Sequence, residues 1–191
     1  MIPQILPGSA DEFRLLTDAV GEKGYRQIDI NLGCPFPMIA GKHKGAGMLL
    51  YPAQVAEVLA PIAEYPEIQF SLKMRLGWEN ASECMVLVEL LNTLRLSRIA
   101  LHARTGKQQY KGHPDLEAFQ GFYELCQHPL YYNGGIESLS DIRQILIRFP
   151  LLKGVFIGRG LLSSPLLAKE FKGNETFLPE QRMSIYFAFH E

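Results

Sequence analysis

The sequence predicts an α/β fold of the TIM (β/α)8-barrel type, with about six of the eight β/α units present. Three observations carry this. Short apolar segments alternate with longer amphipathic ones along the whole 191 residues, the rhythm of parallel strands joined by helical crossovers. Several strand segments also alternate polar with apolar residues, whereas an open doubly wound sheet, covered on both faces, reads as continuous apolar runs. Polar residues gather at the C-terminal ends of at least three strands, where barrels assemble their sites.

The elements follow in order. Ile2–Leu6 reads as the first strand, and Ala10–Val20 as a helix capped by Ser9 with Asp11 and Glu12 behind it. Gln27–Leu32 puts Gln27, Asp29 and Asn31 on one face and Ile28, Ile30 and Leu32 on the other. A helix over Pro52–Ala63 leads to strand Gln69–Leu76, where Lys73 and Arg75 oppose Leu72, Met74 and Leu76. Helix Ala81–Leu94 precedes strand Arg98–Ala103, with His102 and Arg104 opposite Leu101 and Ala103. Helix Asp115–Cys126, strand Leu130–Tyr132, helix Ser138–Arg148 (a Ser138/Asp141 capping box) and strand Gly154–Ile157 complete the series. Pro179–Glu191 reads as a further amphipathic helix carrying Ile185, Phe187 and Phe189. The expected organisation is a partial barrel over 1–176 and the start of a C-terminal helical domain over 177–191. Six strands, in a length below the ~200 residues of complete barrels, make the sequence read as truncated at both ends. Such a wall is expected to be a poor enzyme alone, its unpaired edges costing stability.

Composition narrows the function. With 19 Lys+Arg against 20 Asp+Glu the formal net charge is −1, so a nucleic-acid partner must be held by a local patch rather than bulk charge. No apolar run approaches the ~18 residues of a membrane span, and the N-terminus lacks signal-peptide features. Cys34, Cys84 and Cys126 are odd in number and contain no CxxC pair. A disulfide framework and a zinc site are therefore not expected, and a reducing cytoplasm is.

Four constellations bear on chemistry. In Asp29-Ile-Asn-Leu-Gly-Cys-Pro-Phe-Pro37 a strand runs into a stiff loop holding Cys34. An unperturbed thiol titrates near about 8.5, so Cys34 reads as a proton donor, as an activated nucleophile, or as a small packing residue. Asn133-Gly-Gly135 and Gly158-Arg159 follow the last two strands, where barrels bind phosphate on backbone N–H groups. Lys73 and His102 face one lumen as two potential cations, suited to an anion or an electron-rich ring. Lys42, His43, Lys44, Arg104, Lys107 and Lys111 read either as one basic rim, with Tyr110 as a stacking surface, or as a solvated face.

Together these segments resemble a known family. Asp29-Ile-Asn-Leu-Gly-Cys-Pro, Lys44-Gly-Ala-Gly47, Lys73-Met-Arg75, Leu101-His-Ala-Arg-Thr105, Tyr110-Lys-Gly112, Asn133-Gly-Gly135 and Ile157-Gly-Arg159 occur in the order of the tRNA-dihydrouridine synthases. The resemblance runs from about Gln4 to Pro165. It implies an FMN-dependent flavoprotein oxidoreductase that reduces the uracil 5,6 double bond in tRNA with NADPH or NADH. It implies Cys34 as the acid at uracil C5, and Gln4, Lys73, His102, Asn133, Gly135, Gly158 and Arg159 around FMN. Asn31, Lys44 and Arg104 are implied to address the uracil or the tRNA. No metal and no membrane are implied, and a monomer is favoured for the full-length enzyme. Leu116 stands where the family commonly has tryptophan, and Ser163-Ser164 where it has Gly-Asn. A flavin barrel acting on free pyrimidines and a non-catalytic fragment are the rival readings.

Overall fold

Alternation along the strands decides the architecture, because it gives one sheet face to helices and leaves the other polar. The computed structural model describes residues 1–173. Its elements are β1 (Gln4–Ile5), α1 (Ala10–Gly21), β2 (Gln27–Leu32), α2 (Pro37–Ala40), α3 (Pro52–Leu59), β3 (Gln69–Gly77), α4 (Glu83–Thr93), β4 (Leu96–Thr105), α5 (Leu116–Leu125), β5 (Leu130–Asn133), α6 (Leu139–Arg148), β6 (Gly154–Phe156), α7 (Arg159–Ser163) and α8 (Leu167–Gly173). Residues 177–191, read from the sequence as the start of a helical domain, lie outside the described residues.

The six strands form one parallel sheet in the order β1-β2-β3-β4-β5-β6. A doubly wound sheet would reverse direction at a switch point. An unbroken order with right-handed crossovers sends every helix to the same face, which is how a barrel wall is built. The fold is therefore of the TIM-barrel type, with β1 and β6 as the edges of the wall among the described residues.

On the helix side, Ile28, Ile30, Leu32, Phe70, Leu72, Met74, Leu76, Ile99 and Leu101 are fully buried against Phe13, Val55, Val58, Leu87, Leu91, Phe119 and Phe122. On the other face the register stacks polar residues in rows: Gln4 beside Asp29 and Ser71, Asn31 beside Lys73, and Arg75 beside His102 and Asn133. Each row is one residue level of the lumen.

The expected caps form. Ser9 accepts from the Glu12 amide at 3.2 Å, and Ser138 with Asp141 makes a reciprocal capping box. Two helices differ from expectation for physical reasons. The Pro52–Ala63 segment is α-helical only to Leu59 and tightens to a 3-10 turn over Ala60–Glu64, because Pro61 supplies no N–H to continue the ladder. The fourth helix begins at Glu83 rather than Ala81, since the Glu83 carboxylate accepts from the amides of Trp78, Glu79 and Asn80 and wraps the preceding chain into a loop.

Candidate functional site

At the C-terminal ends of the strands lies a cavity of about 480 Å³. Gln4, Asn31, Cys34, Lys73, His102, Arg104, Asn133, Gly135, Gly158 and Arg159 all line it, so six strands deliver ten of the eleven expected site residues to one place. Lys44 is the exception. Its Nζ lies 2.6 Å from the Glu12 carboxylate, and it faces Gly8 across the end of β1.

The loop carrying Cys34 is clamped from several sides. Asn31 Oδ1 accepts from the backbone N–H groups of Gly33 and Cys34, both at 2.9 Å. The Gly33 carbonyl accepts from Arg75 Nε at 3.0 Å, and the Cys34 carbonyl from the Ala46 amide at 3.0 Å. Gly45 explains the Lys44-Gly-Ala-Gly47 motif: its φ is +55°, and an added Cβ would sit 2.8 Å from the Cys34 oxygen. Gly47 passes more closely still beside Ala40, where an added Cβ would overlap the carbonyl oxygen. A half-buried thiol is thus presented on a fixed loop.

Arg75, absent from the expected site residues, lines the cavity as well. It is 1% exposed, yet donates to the carbonyls of Gly33, Thr105 and Gln109. One guanidinium therefore joins the Cys34 loop to the loop after β4. Its signal in the sequence was its spacing, two residues beyond Lys73 on the same strand face. Tyr110, on that second loop and 52% exposed, has the Arg75 and Arg159 guanidiniums 5.5 and 5.1 Å from its ring centroid.

The electrostatics correct one expectation. His102 is not a second cation: burial, then Arg75, Lys73, Arg104 and Arg159 around it, push its pKa down to about 2. A neutral imidazole follows, and its Nε2 accepts from Arg104 at 3.1 Å, which assigns the remaining proton to Nδ1. Burial likewise lowers the pKa of Lys73, Arg75 and Arg104 from their ordinary values. The cavity is electropositive without being crowded by a charged histidine.

The six basic residues sit in different settings. Arg104 belongs to β4, is 4% exposed and holds the Gly112 carbonyl through Nη2 at 3.0 Å. Lys44 is paired with Glu12, Lys107 forms an ion pair with Glu79, and the His43 ring stacks on Tyr51 at 4.3 Å. Four of the six are thus engaged in separate local contacts, while Lys42 and Lys111 are exposed.

The two glycine loops fit a bound anion. Gly134, at φ +131°, lets the chain pass over the His102 ring, where a Cβ would come within 3.0 Å of Cδ2. At Gly158 a Cβ would meet no atom within 4 Å, so the backbone there lies bare toward the cavity, next to Arg159. Bare backbone beside a guanidinium suits a phosphate, and the half-buried ammonium of Lys73 suits an electron-rich ring.

A family model described as dihydrouridine synthase (Dus) matches residues 2–189. The tRNA-dihydrouridine synthase B of Vibrio vulnificus is 28% identical over 174 residues, covering 87% of this chain and 54% of that protein. The protein of the same description from Pseudomonas putida is 27% identical over 170 residues, covering 88% of this chain and 50% of its own. The chain thus spans about half the length of these relatives. Among solved structures, morphinone reductase in complex with tetrahydroNAD aligns with a TM-score of 0.59 at 14% identity, over 91% of this chain and 51% of that one. N-acetylneuraminate lyase from Mycoplasma synoviae aligns with a TM-score of 0.59 at 15% identity, over 88% of this chain and 58% of that one. At such identities these two likenesses are of fold alone.

Proposed function

Because the chain belongs to the dihydrouridine synthase family, we propose that it serves the FMN-dependent reduction of the uracil 5,6 double bond in tRNA, with NADPH or NADH as reductant. When bound, FMN supplies the two-electron reduction; the residues of this chain hold the reactants and supply the proton. Arg159, the bare backbone at Gly158 and the exposed backbone at Gly135 would hold the phosphate, with Asn133 fixing the β5 end of the loop through its bond to the Phe156 carbonyl at 2.8 Å. Lys73 would face the ring system as a cation, Gln4 would bound it on the β1 side, and neutral His102 would contribute hydrogen bonding without repelling its four cationic neighbours.

Cys34 gives its thiol proton to uracil C5, a role for which a clamped loop matters more than a mobile one, since proton transfer requires a fixed approach. Arg104 and Asn31 would border the uracil, and Lys44 the tRNA outside the cavity. A uridine enters such a cavity only when turned out of the folded RNA. No helix among the described residues is long and apolar enough to cross a membrane, and a tRNA substrate puts the work in the cytoplasm.

The observation that carries this reading is the single cavity that joins the Cys34 thiol to Lys73, His102 and Arg159. The test is Cys34→Ala, assayed for flavin binding and for dihydrouridine formation on unmodified tRNA with FMN and NADPH. Flavin binding is expected to persist and reduction to fall at least a hundredfold. Reduction at the unsubstituted rate would remove Cys34 from the chemistry.

A further inference from the structure

Asn31 faces the cavity, but both ends of its amide are engaged within the protein. Its Oδ1 accepts from the amides of Gly33 and Cys34, and its Nδ2 donates to Gln4 Oε1 at 2.8 Å. Gln4 Nε2 in turn donates to Asp29 Oδ2 at 2.7 Å, and Asp29 Oδ1 accepts from the Ser71 hydroxyl at 2.5 Å. Four side chains on three strands therefore form one continuous relay ending on the backbone of Cys34. Asp29 and Ser71 are 8% and 3% exposed, so its root is buried.

The relay has a polarity set from both ends. Backbone N–H groups only donate, so Asn31 must present its oxygen to them and its NH2 to Gln4. Gln4 must then present its oxygen to Asn31 and its NH2 to position 29, where an acceptor is required. A carboxylate is an acceptor at both oxygens. Asp29 thereby fixes the orientation of two amides that would otherwise be free to rotate by half a turn. Reversal of Asn31 would aim NH2 at two donors and release the loop.

We propose that Asp29 is a positioning residue for Cys34, acting through Gln4 and Asn31 to hold the acid loop in its working geometry. The role in uridine reduction rests on the proposed function; the control of the loop does not.

The test exploits the polarity. Gln4→Glu, at an exposed position, places a second carboxylate against Asp29. While the pair shares one proton, the new side chain donates to Asp29 and accepts from Asn31, and the relay stays whole. When both ionise, the link breaks. Paired carboxylates hold that last proton above the ordinary carboxylate range, with the Lys73 ammonium, which interacts with Asp29, opposing part of the rise. The double variant Gln4→Glu/Asp29→Asn restores the relay at every pH: the new amide donates to position 4 and accepts from Ser71. The Gly33 and Cys34 amides are each readable by NMR without flavin or tRNA, and Pro35 beyond them has no N–H.

Relative to the unsubstituted chain at the same pH, Gln4→Glu is expected to exchange these two amides within twofold at pH 5 and at least tenfold faster at pH 8. Iodoacetamide labelling of Cys34 should change over the same pH range. The double variant should return both readouts to within threefold. Gln4→Leu cuts the relay without charge and should speed the pair at least threefold at both pH values. A side chain that merely packs would show neither the pH step nor its rescue. Exchange in Gln4→Glu that tracks the unsubstituted chain at both pH values, a double variant as fast as Gln4→Glu, or an unchanged Gln4→Leu overturns the proposal. If exchange behaves as expected while the unsubstituted protein makes no dihydrouridine, the relay stands and the proposed function fails.

Discussion

Replacing Gly45 by alanine tests whether the Cys34 loop is held by close packing of its backbone. Two costs arise together. Gly45 sits at φ +55°, and a Cβ there would lie 2.8 Å from the Cys34 oxygen and 2.9 Å from the Cys34 Cβ. Left-handed backbone in a non-glycine residue costs about 1–2 kcal/mol, and forcing an extra carbon into a packed site about 1–3 kcal/mol more. Gly24 supplies an internal control, because its φ is +83° but a Cβ there meets nothing within 4 Å. Gly24→Ala should therefore lose about 1 kcal/mol and Gly45→Ala about 2–5 kcal/mol. Both variants remove the same glycine entropy from the unfolded chain, so their difference isolates the contact with Cys34. Urea unfolding of the two variants measures that difference, and peptide-resolved alkylation of Cys34 reports whether the loop has moved. Losses equal within about 0.5 kcal/mol, below what overpacking costs, would refute the steric argument and leave backbone conformation as the whole effect.

Other substitutions test other joints. Arg75→Met leaves three carbonyls without their donor and should cost about 3–5 kcal/mol in denaturant unfolding; a loss below about 1 kcal/mol would mean that water replaces the guanidinium. Glu83→Ala abandons three amides of the turn before α4 and should cost about 1–3 kcal/mol, which thermal unfolding resolves. His102 is depressed to about 2 in the native state, against an unfolded value of about 6.5. The unfolded chain thus binds the extra proton first, so this group withdraws stability as pH falls below about 6.5, by up to about 1.4 kcal/mol per pH unit. His102→Gln should flatten that part of the stability–pH curve, and a His102 imidazole NMR signal, identified by its loss in that variant, that titrates near 6.5 in the native protein would show the assignment to be wrong.

The wall was legible because its strands obey simple alternation. Gln27, Asp29 and Asn31 against Ile28, Ile30 and Leu32 show at once which face meets helices, and the same reasoning sends Lys73 and His102 to one lumen, whereas Asn133, expected in the glycine loop, is the last residue of β5. The caps at Ser9 and Ser138 were legible because they act within a few residues. Interactions spanning the chain were not. Nothing near Lys44 announces Glu12 as its partner, and nothing near His102 announces that cations from β3, β4 and α7 will keep it neutral. The short helices α2 and α7 escaped for another reason. Each is brief, begins with a loop residue the motif needs for other purposes, and offers too little periodicity to read.

The strand order also has a kinetic meaning. Among the described residues every strand bonds only to its neighbours in sequence, so no pairing there must wait for a distant segment to arrive. Each new strand closes one loop containing its own crossover, and the entropic toll of closure grows only slowly with loop length. A pair such as β3 and β4, the longest strands of the sheet, can therefore act as a seed from which pairing zips outward in both directions. The residues of the cavity, spread over all six strands, come together only when the last link of that zipper shuts.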